Sequence, residues 1–279
     1  VAVVPFHLWA PDAYEGAAAP ITAFLASGSK VASFVALTKF LLIGLAPAAG
    51  SMAWGAGNAP FRPGWAPFLA VLAALSMIWG NLAAIGQTNL KRLLAYSSIA
   101  HAGYILVALV GANSWSAPAV YFYVTIYALT NLGAFGIVTA LANKVGGDDL
   151  IYFRGVWKRA PGLTVLMLFF MLSLAGIPPL AGFFGKFYLF AAGLHGTGPH
   201  LGLLWLVIVG VLFSAVSFYY YLKVLKVFYV QPPGESASSA SLISICPCQR
   251  WPMVIIALLI FVLGWAPFLL LDPIRDWLR

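Results

Sequence analysis

Charge is scarce in this chain of 279 residues. Only 8% of positions are charged, and seven of them are acidic. A water-soluble domain carries roughly 25% charged residues, so an aqueous enzyme or binding module is excluded. Cysteine is nearly absent. Cys246 and Cys248, spaced as Cys-Pro-Cys, are too few for a disulfide framework. With no His or further Cys nearby they cannot complete a tetrahedral metal site. They read as free thiols in a polar loop. There is no phosphate-binding glycine loop, no cysteine-cluster motif and no Ser-His-Asp arrangement. The chain itself is therefore expected to carry no metal, no cofactor and no redox centre. The net charge of +8 has neither a basic helix nor an RNA motif behind it, so nucleic acid is excluded as a partner. Basic loops on one side of a membrane account for it better.

What is present is apolar sequence, 62% hydrophobic. A spanning helix needs about 20 mostly apolar residues. Seven runs qualify, near 20–45, 66–87, 93–112, 117–142, 162–194, 200–230 and 251–271. The fold class is all-α, a polytopic transmembrane bundle. The fifth run is longer than one crossing and contains Pro178-Pro179, so it reads as two half-helices. Residues 1–19 read as the end of a truncated span and a connecting loop or short helix, with an amino-terminal part of the protein expected upstream. Residues 20–230 form the main bundle, 231–250 a flexible loop on the basic side, and 251–279 the last span and an outer tail. If the spans alternate, Lys91, Arg92, Lys144, Arg154, Lys158, Arg159, Lys223, Lys226 and Arg250 share one side; Arg62, Arg275 and Arg279 share the other. Basic loops stay inside, which puts the first set in the cytoplasm and the carboxyl terminus outside. Segment 143–160 reads as an amphipathic piece at the basic face, suited to anionic lipid or a soluble partner.

Three lysines remain once the loop charges are assigned, all inside the runs: Lys30, Lys39 and Lys186. Ionisable groups at such depth are costly and mark ion or proton paths. Lys30 is surrounded by the small residues of Ala26-Ser27-Gly28-Ser29. Lys39 is nine residues on, about 13.5 Å along a helix, and is expected to snorkel to the far interface. Lys186 follows Gly176-Ile177-Pro178-Pro179-Leu180-Ala181-Gly182, a broken helix of the kind tolerated where it lines a cavity. The positive end of the second half-helix is expected to disfavour its ammonium. No Asp or Glu occurs inside any run, so neither buried amine has an obvious counter-ion. His101, in Ser97-Ser98-Ile99-Ala100-His101-Ala102-Gly103-Tyr104, sits among hydroxyls and can relay protons near neutral pH. A satisfied core histidine is the bland alternative. Asp12 and Glu15 read as a turn at the membrane surface or a channel mouth, with His7 in the same polar region.

Together these stretches resemble the antiporter-like subunits of proton-pumping NADH:quinone oxidoreductase, respiratory complex I. The likeness rests on Pro5-Phe6-His7-Leu8-Trp9-Ala10-Pro11-Asp12-Ala13-Tyr14-Glu15-Gly16, on Thr22-Ala23-Phe24-Leu25 leading to Lys30, on Gln87 to Tyr104, and on Ser173 to Tyr188 with its Pro178-Pro179 break. The Asp-Ala-Tyr-Glu-Gly variant looks like the N type. The resemblance implies two inverted repeats, each with a broken helix, of which this chain matches the second repeat and the spans after it. It implies that Lys30, His101 and Lys186 relay protons, with His7, Glu15, Lys39, Ser97, Tyr104, Pro178 and Pro179 in support. The family's upstream glutamate and lysine have no counterpart here. The resemblance also implies a translocase subunit in a bacterial inner membrane, beside other membrane-arm subunits and driven by quinone reduction. NADH, FMN, iron–sulfur clusters and quinone would belong to partner subunits, including the peripheral redox arm. The alternative on the same fold is a subunit of an Mrp-type cation/proton antiporter or of a membrane-bound hydrogenase.

Overall fold

The computed structural model describes residues 1–50, 62–195, 202–233, 242–243 and 245–278. Residues 234–241 and 244 of the 231–250 loop, the first residues of the 200–230 run and Arg279 lie outside the described residues. A short helix α1 (Trp9–Gly16) precedes α2 (Ala19–Gly44), α3 (Trp65–Ile85), α4 (Leu90–Gly111) and α5 (Ser116–Val145). The broken pair α6 (Pro161–Ala175) and α7 (Ala181–Leu194) follows, then α8 (Leu204–Tyr229), α9 (Pro247–Trp265) and α10 (Phe268–Leu278). Six of these, α2 to α5, α8 and α9, are long and apolar enough to cross a membrane.

Local chemistry sets most of the boundaries. Asn89 caps α4, its side-chain oxygen accepting from the Lys91 and Arg92 backbone N–H groups at 3.0 and 3.2 Å, an arrangement that satisfies donors left free at a helix start. Proline occupies the first position of α6 and of α9, where its missing N–H does no harm. Gly176, at φ +86°, ends α6, and Pro178-Pro179 cannot resume it. The hydropathy run over 251–271 is divided by Ala266-Pro267. A proline disfavours helix at the residue before it, so the span stops at Trp265 and α10 begins anew. Cys246 therefore precedes α9, and Cys248 lies in its first turn rather than in a loop.

Helix α4 is the hub. It packs against α1, α3, α5, α7 and α8, and 94% of its apolar window is buried. The α3–α4 contact is close because of two glycines. A Cβ on Gly80 would lie 2.6 Å from the Ala100 nitrogen, and one on Gly103 2.8 Å from the Ala73 carbonyl oxygen. Between membrane helices, where burial in lipid supplies no net drive, such backbone approach is a main source of association. Outward-facing apolar residues such as Phe24, Ile43, Phe68, Leu212 and Leu258 suit lipid or neighbouring subunits.

The two ends differ in charge. At one end Arg92 pairs with Asp12 and Glu15, both at 2.7 Å, and Lys91 with Asp148 at 2.6 Å. Lys223 caps the end of α3, donating to the Ile85 and Gln87 carbonyls at 3.0 and 2.9 Å. At the other end Asn113 donates to the Ala192 and His195 carbonyls, and Arg275 of α10 lies over the Trp115 ring. Lys91 is buried while Asp148 is partly exposed. Asp148→Ala should thus cost about 1–2 kcal/mol, less than the roughly 3–5 of a fully buried pair. A thermal melt of the detergent-solubilised protein checks it; an unchanged midpoint would mean that the pair holds nothing.

Candidate functional site

Lys30 stands directly after a wide π-type turn, Leu25–Ser29, inside α2. Such turns recur at functional positions, and this one was not legible in the sequence. The Lys30 amine is buried and donates to the Ser98 carbonyl of α4 at 2.9 Å and to the Val1 carbonyl at 3.3 Å.

His101 is one turn beyond Ser98 on α4 and is 1% exposed. Its Nδ1 meets the Tyr123 hydroxyl of α5, and its Nε2 lies 2.9 Å from the Tyr221 hydroxyl of α8. Tyr221 is also bonded to Ser97. A phenol can donate or accept, so this chain of groups is compatible with either tautomer of the imidazole. A proton can enter on one ring nitrogen and leave from the other. Tyr104 and Tyr127 complete the enclosure, with ring centroids 5.5 and 5.1 Å from the imidazole. The Tyr127 hydroxyl and the Ser98 hydroxyl are buried without a hydrogen-bond partner among the described residues. Asn81 of α3 fixes two further phenols: it donates to the Tyr104 hydroxyl and accepts from the Tyr220 hydroxyl, each at 3.0 Å.

Lys186 lies in the second turn of α7 and is 5% exposed. Its amine crosses the break to donate to the Ala175 carbonyl at 2.8 Å and to Ser214 Oγ of α8 at 2.9 Å, and it sits 5.3 Å from the centre of the Tyr104 ring. A second helix pole acts on this amine besides the expected start of α7. Ala175 ends α6, so its carbonyl belongs to the negative pole of that half-helix and lacks an intrahelical partner. The lysine amine therefore meets that negative pole directly. Glycines make the geometry possible. A Cβ on Gly176 would lie 3.0 Å from Lys186 Cδ, and one on Gly185 2.6 Å from the Tyr123 ring. Helix α9 closes over the break through Gly264, where a Cβ would come within 1.9 Å of the Pro179 carbonyl oxygen.

Lys30, His101 and Lys186 are therefore gathered around one helix. Ser98, His101 and Tyr104 succeed each other at three-residue intervals on α4, about 9 Å in all. The first touches Lys30, the last Lys186. Neither lysine pairs with a carboxylate among the described residues. The other residues singled out from sequence lie further off. Glu15 pairs with Arg92 at the charged end. Lys39 is exposed and faces the Trp277 ring at 5.1 Å. His7 is buried edge-on to Trp79. Tyr123, Tyr127, Tyr221, Tyr220 and Asn81 were missed. The signal available was Tyr121 to Tyr127 and Tyr219-Tyr220-Tyr221 within apolar runs, but tyrosines also populate interfacial belts.

A polytopic helical bundle whose broken helix is bridged by a buried base is the architecture of membrane transport proteins. Residues 1–217 match the family model described as NADH:quinone oxidoreductase/Mrp antiporter, TM, and the chain belongs to that family. It is 49% identical over 279 residues to NADH-quinone oxidoreductase subunit N 2 of Acidobacterium capsulatum, covering all of this chain and 54% of that protein. It is 42% identical to subunit N 1 of Roseiflexus castenholzii, over 99% of this chain and 50% of the other. The chain thus spans about half the length of these curated relatives. A chain of respiratory complex I from Thermus thermophilus with bound aureothin superimposes with a TM-score of 0.76 at 36% identity, over 97% of this chain and 55% of that one. A chain of the Mrp complex from Dietzia sp. shares the fold, with a TM-score of 0.82 at 21% identity over 98% of this chain and 55% of the other.

Proposed function

We propose that this chain is an N-type membrane subunit of a complex I, that it corresponds to the second antiporter-like repeat and the spans after it, and that it relays protons through Lys30, His101 and Lys186. One observation carries this reading: a single enclosed helix, α4, touches both carboxylate-free lysines and holds between them a histidine bonded to phenols through both nitrogens. Lys30 takes a proton from upstream. Ser98, His101, Tyr123 and Tyr221, with water bridging the unpartnered hydroxyls, pass it on, and Lys186 releases it to the outside. Charge on one group raises the energy of charge on the next, so the sites load in alternation. Quinone reduction in neighbouring subunits drives the cycle, and NADH, FMN, iron–sulfur clusters and quinone sit in those partners. The end bearing Lys91, Arg92 and Lys223 faces the cytoplasm of a bacterium, and the carboxyl-terminal end faces outward. The identity to subunit N relatives, 49% against 21% for the Mrp chain, favours this over a cation/proton antiporter.

The test is Lys30→Ala in the assembled complex reconstituted into liposomes. Electron transfer to quinone should continue while protons moved per electron fall. Full pumping at an unchanged electron rate would sink the proposal.

A further inference from the structure

We propose that the charged end carries a binding site for an anionic phospholipid, built between α8 and the segment after α5. A cavity of about 780 Å³ opens there. Its basic lining is Arg154, Lys223 and Lys226, set against one carboxylate, Asp149. The Asp149 carboxylate accepts from the Asn89 side chain at 3.1 Å, and the Lys223 amine is spent on the two backbone carbonyls at the end of α3. Arg154 and Lys226 are the exposed arms. They hold a negative headgroup between them.

The apolar part of the lining identifies a lipid rather than a free anion. Tyr219, Leu222, Lys223 and Lys226 recur at intervals of three or four and so form one stripe on α8. Along it, base gives way to aliphatic and then to aromatic surface over about 10 Å, the order of a phosphate, a glycerol and the first methylenes of an acyl chain. Tyr219 and Leu222 are 61% and 49% exposed, and Ile151 across the cavity is 56% exposed. These are apolar groups that water would not favour and that a chain would cover. Basic pockets at the cytoplasmic ends of spans are suited to anionic headgroups. A soluble or membrane protein partner with an acidic loop is the competing occupant, but it would leave the descending apolar stripe unexplained.

The test uses the intact complex containing this chain, reconstituted in vesicles that hold phosphatidylglycerol with a photoreactive acyl chain. Labelling should map to the peptide carrying Tyr219 and Leu222. The R154Q/K226Q double variant should weaken phosphatidylglycerol binding about thirtyfold, on the scale of two basic groups near an anionic lipid. The charge-retaining R154K/K226R variant should keep the labelling, which separates loss of charge from loss of structure. Equal labelling by a photoreactive phosphatidylcholine would overturn the site, as would displacement of the label by inorganic phosphate alone. A zero-length cross-link from Lys226 to a neighbouring subunit's carboxylate would assign the cavity to a protein partner and also overturn it.

Discussion

Lys186→Arg should abolish proton pumping while leaving the protein assembled, and Lys186→Ala should do the same for a different reason. The amine bridges a break in the chain: it joins the last carbonyl of α6 to Ser214 of α8. Arginine keeps the positive charge and can still reach a helix-end carbonyl, so the negative pole of α6 stays compensated. It cannot release its proton, because a guanidinium stays charged at any workable pH. Proton transfer by a positioned group contributes two to four orders of magnitude, so pumping should fall at least about a hundredfold in liposomes. Alanine removes charge and proton together. It leaves the Ala175 carbonyl and the Ser214 hydroxyl short of a partner, at about 1–3 kcal/mol, partly offset because an ammonium no longer has to be buried. Both variants should therefore assemble. If Lys186→Arg pumps at the normal ratio of protons to electrons, the lysine only ties the two half-helices together.

Gly182→Ala should have a large structural effect, on a par near the break with a methyl added at Gly264. The new carbon would lie 1.9 Å from the Ser173 carbonyl oxygen and 2.7 Å from its carbonyl carbon. Those are backbone atoms of α6, so no rotamer change relieves the contact, and α7 must move away from α6. Overpacking of this kind costs about 3 kcal/mol or more. Lys186 lies one turn further along the same helix, so its amine would be drawn from Ala175 and Ser214. The expected result is a lower melting point of the purified complex with pumping impaired in whatever assembles. A midpoint within about 2 °C of the parent would show that the two half-helices are free to separate, contrary to their close backbone packing. The outcome is independent of the direction and the ion of transport.

The span pattern was legible because each crossing is a long apolar run and each boundary has local causes: Asn89, Pro161, Gly176 and Pro247 act on their immediate neighbours. The run over 251–271 shows the limit of hydropathy. Phe268 to Leu271 are as apolar as a span interior, so a window reads straight through Pro267, whereas backbone geometry stops there. The three relay candidates stood out because ionisable residues are rare inside apolar runs. Their surroundings did not. Tyr123, Tyr127 and Tyr221 look like any tyrosines of a membrane protein until α4, α5 and α8 are packed together, and Asn81 is simply a polar residue in a span until Tyr104 and Tyr220 reach it from two other helices.

The sequence by itself determined that this is a bundle of membrane helices, broken at Pro178-Pro179, with Lys30, Lys186 and His101 held out of water. Those conclusions rest on composition and on interactions a few residues long. Only the tertiary structure decided which pole of which half-helix Lys186 meets, and that α4 brings all three groups alongside one helix with phenols bonded to His101 between the lysines. The reason is that a side chain's partners in a helical bundle come from helices distant in sequence. Which faces of α4 meet α3 and α7 is set by glycine-mediated backbone contacts, and which meet α5 and α8 by packing that no local pattern encodes.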